Sequence, residues 1–289
     1  AQEVPSAAAG TAAGAMPGEA ALAEAMHHMA GVIERFPAEF ASLGAPATET
    51  DLAEGYRLFI RYLVIGIDQY IQYGDPAFPA FFQNTRDGVL KFAGDSPGQL
   101  YDGVSVSGEY DYVVSGKMQD TALIEFTLYS GSLNQGAGKR RLIDSLTDEK
   151  LVTDRDGNFT VQLKRQGTGP NVLQLAPDAS KLLVRRYLRD PVKDHPRPLA
   201  IRRVSGSPVL APPSPVPLSQ AIAAAADFAM WNVRTWAQWV VRDRSREINV
   251  FLPSNDTGDI YTPAGHRYLS GYWRVPDGKA LLVEFTPPQ

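Results

Sequence analysis

The stretch GPNVLQLAPDASKLLVRRYLRD, residues 169–190, decides the fold of this chain. It holds two apolar runs, NVLQL (171–175) and KLLVRRYLR (181–189), on either side of the turn-forming Pro-Asp-Ala at 177–179. Short runs rich in Val and Leu that are bounded by Gly, Pro and Asp are typical of β-strands. The stretch therefore predicts two strands joined by a turn.

The same pattern recurs from about Thr85 onward. The other runs of the middle region are YDYVVSG (110–116), TALIEFTLYS (121–130), NFTVQLKR (158–165) and LAIRRV (199–204). Further runs follow near the end of the chain: INVFLP (248–253), RYLSGYWRV (267–275) and KALLVEFTPP (279–288). Closely spaced strands with little helix between them indicate an antiparallel β-sandwich or jelly roll. A parallel sheet would need crossover helices, which the sequence lacks.

Three other stretches show helical spacing of apolar residues. The first covers residues 22–36 and is interrupted by Pro37, which predicts a kink or a second short helix. The second begins with Thr48 and Asp51 at capping-box spacing. Its apolar stripe comprises Leu52, Tyr56, Phe59, Ile60, Leu63, Ile67, Tyr70 and Ile71. The third helix covers residues 218–241.

These elements predict a mainly β, α+β protein with packed helices and β-sandwich or jelly-roll units. The Pro-rich connector SGSPVLAPPSPVP marks the best boundary, because such a segment is extended and semi-rigid. The predicted organisation is a leader (1–20), a helical segment (21–84), a first β unit (85–204), a linker (205–217) and a helix with a second β unit (218–289).

Composition excludes several classes of function. The net charge is −4 and the 28 Lys and Arg residues are scattered, which argues against a nucleic-acid-binding protein. No apolar run reaches the ~18 residues of a transmembrane helix. The absence of cysteine removes disulfides, thiolate nucleophiles and Cys-based metal sites. The first 20 residues are small and Gly/Pro-rich, as expected after removal of a signal peptide, and predict a periplasmic or secreted protein. The alternative is a trimmed cytoplasmic chain.

Four segments together resemble a bacterial family known as domain of unknown function 1214, which is often paired with family 1254. They are GDSPGQLYDGVSVSGEYDYVVSG (94–116), DRDGNFTVQL with GPNVLQL (154–175), VRRYLRD (184–190) and RYLSGYWRVPDGKALLVEFTPP (267–288). The resemblance runs from about Thr50 to the end. It implies a jelly-roll protein with packed helices, frequently exported and oligomeric, and it supplies no catalytic residues to carry over.

The chain departs from this family at two places. Val172 stands where members often have Trp, and members usually continue with more β-structure after the segment ending at Pro288. The run ALLVEF would need neighbouring strands, so we expect a second copy or another chain to cover its edge.

Arg185, Arg186 and Tyr187 follow directly on an apolar strand, which raises two interpretations. Side chains alternate along a strand, so Arg185 and Tyr187 share one face with Leu183, and Arg186 lies on the other. Such a mixed face could line a pocket in which Arg185 binds an anion. The alternative is an edge strand whose arginines lie in solvent or pair with Asp190.

Tyrosines cluster near the start of the β region. Tyr110 and Tyr112 flank Asp111 and share a face, with Tyr101 nearby in sequence. Exposed, they would stack on sugars; buried, they would be core residues. Asp111 is a candidate substrate-binding residue and, with Glu125, a weak candidate acid–base pair.

The four histidines do not have ligand spacing, so no metal or other cofactor is predicted. His266, beside Tyr268 and Tyr272, is a candidate general base, although a surface histidine is the ordinary alternative. Asn171 completes the candidate substrate-binding residues.

Two hypotheses follow. The first is a metal-independent lyase, hydrolase or isomerase acting on a small organic or carbohydrate-like substrate. Arg185 would bind the substrate's anion, and Tyr101, Tyr187 or His266 would transfer protons. The second is a non-catalytic protein that binds carbohydrate or a partner chain.

Overall fold

The computed structural model describes residues 16–44, 48–83, 90–131, 140–206, 212–244, 248–252, 255–256 and 267–286. The helices are α1 (Glu19–Ser42), α2 (Glu49–Ile67) and α3 (Pro215–Arg244), and a π-helical turn, Asp68–Gln72, continues α2. The strands are β1 (Phe82–Gln83), β2 (Gln99–Ser105), β3 (Tyr112–Lys117), β4 (Leu123–Ser130), β5 (Arg141–Thr147), β6 (Asn158–Lys164), β7 (Val172–Gln174), β8 (Ala179–Tyr187), β9 (Ala200–Arg203), β10 (Asn255–Asp256) and β11 (Arg267–Tyr268).

Two larger sheets carry the fold. One has the strand order β1-β2-β8-β4-β5 and the other the order β7-β6-β3-β9. Neighbouring strands are antiparallel except β6 and β7, which are parallel. The strand β8 lies at the centre of the five-stranded sheet. The predicted α+β fold with antiparallel sheets is confirmed, and the edge-strand interpretation of residues 181–189 is wrong.

The two sheets share one apolar core. Alternate side chains of β4 and β8 point toward the four-stranded sheet, and Phe126 meets Phe159 edge to face with ring centroids 5.7 Å apart. The fully buried members include Val104, Tyr112, Val114, Ile124, Phe126, Leu128, Val161, Leu163, Leu173, Leu182 and Val184. Burial of these side chains removes apolar surface from water and stabilises the pair of sheets.

Three strands of the five-stranded sheet, β1, β2 and β5, were not predicted. The sequence of β2, QLYDGVS, contains Asp and Gly, and that of β5, RLIDSLT, is half polar, so neither shows a continuous apolar run. Both form because they pair with strands that are apolar: β2 with β8, and β5 with β4. Ladder pairing in the folded sheet here outweighs weak local propensity.

The three helices form a second core. Phe36 of α1 stacks on Phe59 of α2 at 4.1 Å, and α3 contributes Phe228 and Val233. A kink or a second short helix was predicted at Pro37; α1 instead continues through Pro37 as one helix, so the second short helix is not formed, and packing around Phe36 holds the helix together there. The predicted linker, residues 205–217, also differs from the structure, because α3 already begins at Pro215. This helix packs against α1 and α2 from the N-terminal part of the chain.

The predicted start of α2 is confirmed, whereas its apolar stripe is only half right. The Asp51 N–H donates to the Thr48 hydroxyl oxygen over 3.1 Å, and that hydroxyl donates to the Asp51 carboxylate over 2.8 Å. Phe59 is buried as expected, but Leu52 and Ile60 are exposed. The buried face turns instead through Tyr62, Ile65 and Gly66, because α3 lies on that side.

The C-terminal β unit is much smaller than predicted. Strands β10 and β11 form one two-residue ladder, and Ile248 and Tyr272 form an isolated bridge. Within the described residues, the predicted strand at 279–288 is not formed: residues 279–286 have no ladder partner, and Leu282 and Phe285 are 80% and 78% exposed. A strand needs a neighbour to pair with, and no described residue of the chain pairs with this segment.

Candidate functional site

A polar row crosses the face of the five-stranded sheet that points away from the four-stranded sheet, hereafter the outer face. Arg185 of β8 lies directly opposite Tyr101 of β2 on one side and Glu125 of β4 on the other. Directly opposite residues of antiparallel strands share a face. The Arg185 and Glu125 side chains are both buried, with exposed fractions of 4% and 5%.

The hydroxyl of Thr127 connects the two charged members of this row. Arg185 Nη1 donates to Thr127 Oγ1 over 3.3 Å, and Thr127 Oγ1 lies 3.3 Å from Glu125 Oε1, to which it donates. Thr127 is itself fully buried. The guanidinium and the carboxylate are therefore held in place by a hydroxyl group.

A second row lies four residues away along β8, on the same face. Lys181 of β8 is opposite Ser105 of β2 and Tyr129 of β4. The guanidinium of Arg140, which directly precedes β5, lies over the Tyr129 ring with 3.9 Å between Cζ and the ring centroid. This row brings two more cations to the outer face.

Gly103 separates the two rows and leaves space between them. A Cβ at Gly103 would lie 3.2 Å from Lys181 Cε and 3.2 Å from Phe82 Cζ. The Lys181 side chain therefore leans across Gly103, which lies between Ser105 and Tyr101 on β2. A side chain at this position would crowd both neighbours, so the glycine allows the lysine to approach the row of Arg185.

The π-helical turn reaches down to this face. Lys181 Nζ donates to the buried Gln69 Oε1 over 2.6 Å, and Nζ lies 5.2 Å from the centroid of the Phe82 ring. A π-helical turn inside a helix is often found at a functional site. We name Arg140, Lys181, Arg185 and Glu125 the charged cluster.

The surroundings of the charged cluster shift the pKa values of Glu125 and Lys181 in the directions that favour the neutral carboxyl group and the neutral amine. Burial raises the pKa of the Glu125 carboxyl, while Arg185 and the Thr127 hydroxyl partly oppose that shift. Burial, together with the positive charges of Arg140 and Arg185, lowers the pKa of the Lys181 ammonium to about 7. Burial also lowers the pKa of Arg140.

Two buried polar atoms of this region make no hydrogen bond within the described part of the chain. They are the hydroxyl of Tyr129 and Nε of Arg140. The exposed fractions of these residues are 0% and 8%. Unsatisfied buried donors are costly, and native proteins tolerate them mainly where a ligand, water or function accounts for them.

The structure brings together three of the residues singled out in the sequence. Arg185, Tyr101 and Tyr187 lie on the outer face, and Tyr187 is two residues beyond Arg185 on β8. Tyr101 is partly buried, and its hydroxyl donates to Gln99 Oε1 over 2.6 Å. The candidate general base, His266, lies outside the described residues.

The other two candidates have contacts that build the four-stranded sheet. Asp111 Oδ1 accepts hydrogen bonds from the Arg165 backbone N–H at 3.0 Å and from Arg165 Nε at 3.3 Å. Asn171 has a positive φ of 55° and clamps Val152, since its amide accepts from the Val152 N–H and donates to the Val152 carbonyl oxygen. We therefore assign both residues structural roles, apart from the charged cluster.

In the tyrosine cluster near Asp111, Tyr112 is a core residue, and Tyr110 is partly buried and packs against the same core. Tyr112 is fully buried; its hydroxyl donates to the Pro76 carbonyl oxygen and accepts from the Ser107 N–H. Tyr110 meets the Tyr112 ring edge to face. Arg203 lies over the other tyrosine, Tyr110, with 4.7 Å to the ring centroid.

Arg186 has a different role from Arg185. It is 1% exposed, and its Nη2 lies 2.7 Å from Asp102 Oδ2 at the end of the shared core. Its Nη1 donates to the Arg197 carbonyl oxygen. Asp190, the sequence-based alternative partner, instead pairs with Lys193 over 3.1 Å. Arg185 and Arg186 are adjacent in sequence but lie on opposite faces of β8, where they contact different residues.

Sequence reasoning missed Lys181 and Arg140. A signal for Lys181 existed, because Lys181, Leu183, Arg185 and Tyr187 alternate along one predicted strand and must share a face. Arg140 had no such signal. It ends the Gly-rich stretch 131–140, and only the pairing of β4 with β5 brings it over Tyr129.

A crystal structure of an uncharacterized protein from Burkholderia cenocepacia matches this chain with a TM-score of 0.80. The sequence identity is 24%, over 90% of this chain and 72% of that chain. A Vibrio parahaemolyticus protein matches at a TM-score of 0.28 and 17% identity, over 61% and 52%, which is too distant to support an inference. No family model and no curated protein matches. The Burkholderia protein shares the fold, and the resemblance to family 1214 stays a prediction.

Across the described residues, no helix combines the length and the apolar character that a membrane span requires.

Proposed function

We propose that this protein binds a small organic anion on the outer face of the five-stranded sheet and transfers protons on it. The observation that carries the proposal is the charged cluster. Three cationic side chains, Arg140, Lys181 and Arg185, share this face with the carboxyl group of Glu125. Buried cations are costly unless anionic groups neutralise them, so an anionic ligand would stabilise this arrangement.

The ligand class follows from the donors. Arginine guanidinium groups bind carboxylate and phosphate in a bidentate manner, and Arg185 is held in place by Thr127. A neutral sugar would bring no negative charge to a site that holds three cationic side chains and one carboxyl group. The site therefore favours a small carboxylate- or phosphate-bearing compound over a neutral carbohydrate.

The proton-transfer groups are Glu125 and Lys181. A raised carboxyl pKa and a lowered ammonium pKa bring both groups closer to neutral pH, where general acid–base catalysis is most effective. Tyr101, opposite Arg185, stays a further candidate for this role. The chemistry that these groups supply suits a lyase or isomerase that starts by removing a proton next to a carboxylate.

Binding is tested first, with lactate and inorganic phosphate as probe anions. We expect either anion to raise the melting temperature of the wild-type protein, because a ligand that binds only the folded state stabilises it. Arg185→Gln and Arg140→Gln should each weaken binding roughly ten- to hundredfold, the usual worth of a charge-assisted hydrogen bond.

The matched control is Arg155→Gln, since Arg155 is exposed in the turn before β6. It should bind both anions as the wild type does. Equal binding by wild type and both cluster variants, or no binding of any small carboxylate or phosphate, would contradict the proposal.

A second candidate function, assembly with another copy of the chain, is favoured by the segment 279–286. Leu281, Leu282, Val283 and Phe285 are all exposed there. A matching apolar stripe runs along α2, formed by the exposed residues Leu52, Tyr56, Ile60 and Val64. We propose that the segment of one copy covers the α2 stripe of a second, since a two-fold axis would bury both surfaces twice.

The assembly proposal is tested by sedimentation of the full chain. We expect a dimer for the wild type and a monomer for Leu282→Asp and for Ile60→Asp. Val192→Asp is the control, because Val192 is 80% exposed outside both surfaces. A wild-type monomer at micromolar concentration would contradict this proposal.

A further inference from the structure

We propose that Lys181 is a nucleophile that forms an imine with the carbonyl carbon of a 2-oxo acid whose carboxylate is bound by Arg185 and Arg140. This inference deepens the anion site proposed above and rests on it. It names a substrate class, small 2-oxo acids, and a covalent role for the lysine.

The placement of Lys181 carries the inference. Its side chain leans across Gly103 toward the row that contains Arg185, and its cross-strand partner Tyr129 carries the Arg140 guanidinium on its ring. The amine is thus close enough to two guanidinium groups that could bind a carboxylate for their positive charges to lower its pKa. A 2-oxo acid has its carbonyl carbon next to its carboxylate, so binding of the carboxylate would bring the carbonyl to the amine.

The surroundings favour the neutral amine that the reaction needs. The groups that contact the Lys181 side chain are Gln69 of the π-helical turn, which accepts its hydrogen bond, and Phe82 of β1. The charged neighbours are Arg140 and Arg185, and with burial they lower the pKa of Lys181 to about 7. Lysines activated by desolvation and neighbouring cations are the ones that form Schiff bases.

The chemical step balances without a further reactant. The amine lone pair of Lys181 attacks the carbonyl carbon, a C–N bond forms, and the carbonyl oxygen leaves as water after taking up two protons. Both of these come from the attacking nitrogen as it becomes the neutral imine, and the Glu125 carboxyl group, whose pKa is raised by burial, lies on the same face and would relay them. No electrons are gained or lost.

The experiment is borohydride trapping on the full chain, with glyoxylate, pyruvate and 2-oxoglutarate as probes. Borohydride reduces an imine to a stable secondary amine. For pyruvate, intact-mass spectrometry should then show a gain of one pyruvic acid less one oxygen atom, and peptide mapping should place it on Lys181. Lys181→Arg, which keeps a cation but has no nucleophilic amine, should lose this labelling at least tenfold.

The control variant is Lys193→Arg, because the side chain of Lys193 is 82% exposed on a loop. It should be labelled as the wild type is. A circular dichroism melt of Lys181→Arg checks that it folds, and Gly103→Ala gives a second, more conservative test that should slow labelling by displacing the lysine.

The outcomes separate this inference from the anion site. If lactate, which has no carbonyl group, binds in an Arg185-dependent way but none of the three oxo acids labels Lys181, the lysine role is overturned and the anion site stands. If neither lactate binding nor labelling occurs, both proposals fail. Labelling spread over exposed lysines, with Lys181 not preferred, also overturns the inference.

Discussion

Arg185 and Glu125 are opposite each other on neighbouring strands of the five-stranded sheet, buried, and joined through the hydroxyl of Thr127. Together with Lys181 they make the outer face of a structural sheet polar. A buried carboxyl group whose pKa is raised by desolvation, beside groups that can bind an anion, is a typical arrangement of a proton-transfer site.

We expect Glu125→Gln to slow proton transfer strongly without weakening anion binding. Loss of a general acid–base group costs roughly 10²–10⁴-fold in rate. The neutral amide removes a negative charge from beside Arg185, so lactate should bind at least as tightly as to the wild type. The measurement is solvent deuterium incorporation into a panel of small carboxylic acids, followed by proton NMR in D2O.

The control for this prediction is Glu149→Gln, because Glu149 is exposed in the turn after β5. Its exchange rate should match that of the wild type. Unchanged exchange in Glu125→Gln, or no exchange with any acid that binds, would remove Glu125 from the proposed reaction.

Stability should depend on pH through Lys181. In the unfolded chain a lysine has a pKa of about 10.4, whereas the folded state lowers it to about 7. Between these values the unfolded state binds more protons, so the contribution of Lys181 to stability rises with pH and is at its most unfavourable below pH 7. Lys181→Met should therefore be more stable than the wild type near pH 6, and the difference should shrink toward pH 10.

Thermal unfolding of both proteins from pH 6 to pH 10 checks this prediction. Lys193→Met serves as the control, because it removes a lysine side chain that is 82% exposed. A gap between Lys181→Met and wild type that stayed constant over this range would show that the ammonium is not perturbed by folding.

Asp102→Asn should destabilise the protein strongly. It leaves the guanidinium of Arg186 buried without its carboxylate, and breaking a buried pair in this way costs roughly 3–5 kcal/mol. Asp178→Asn is the matched control: Asp178 pairs with Arg141 at 2.6 Å on the surface, where such a pair is worth about 0–1 kcal/mol. Urea unfolding of the two variants gives the comparison, and equal losses would contradict the structural role of Arg186.

Gly66→Ala should loosen the contact between α2 and α3. A Cβ at Gly66 would lie 2.6 Å from the carbonyl oxygen of Ala225, so the helices must separate, at a cost of roughly 1–3 kcal/mol. At Gly94 an added Cβ meets no atom within 4 Å, so Gly94→Ala should change stability little. Urea midpoints that fell equally in the two variants would argue against close packing of α2 on α3.

The shared face of Arg185 and Tyr187 was predictable, because alternation along a strand depends only on the local backbone. The cap formed by Thr48 and Asp51 was predictable for the same reason, since both residues lie within one helical turn. The extent of α1 was not predictable from sequence. The destabilising effect of Pro37 is local, whereas the packing of Phe36 on Phe59 that offsets it joins two different helices.

Sequence alone thus determined the strongly apolar strands such as β8, the alternation of side chains along them and the cap of α2, since these follow from short-range sterics and hydrogen bonding. Tertiary structure decided that β8 is central, that Glu125 is opposite Arg185 and that Arg140 lies over Tyr129. The two contacts join β4 to β8 and to the residue just before β5, and the register in which the strands pair determines which residues meet. That register is chosen by the burial of a whole core, which no single segment encodes.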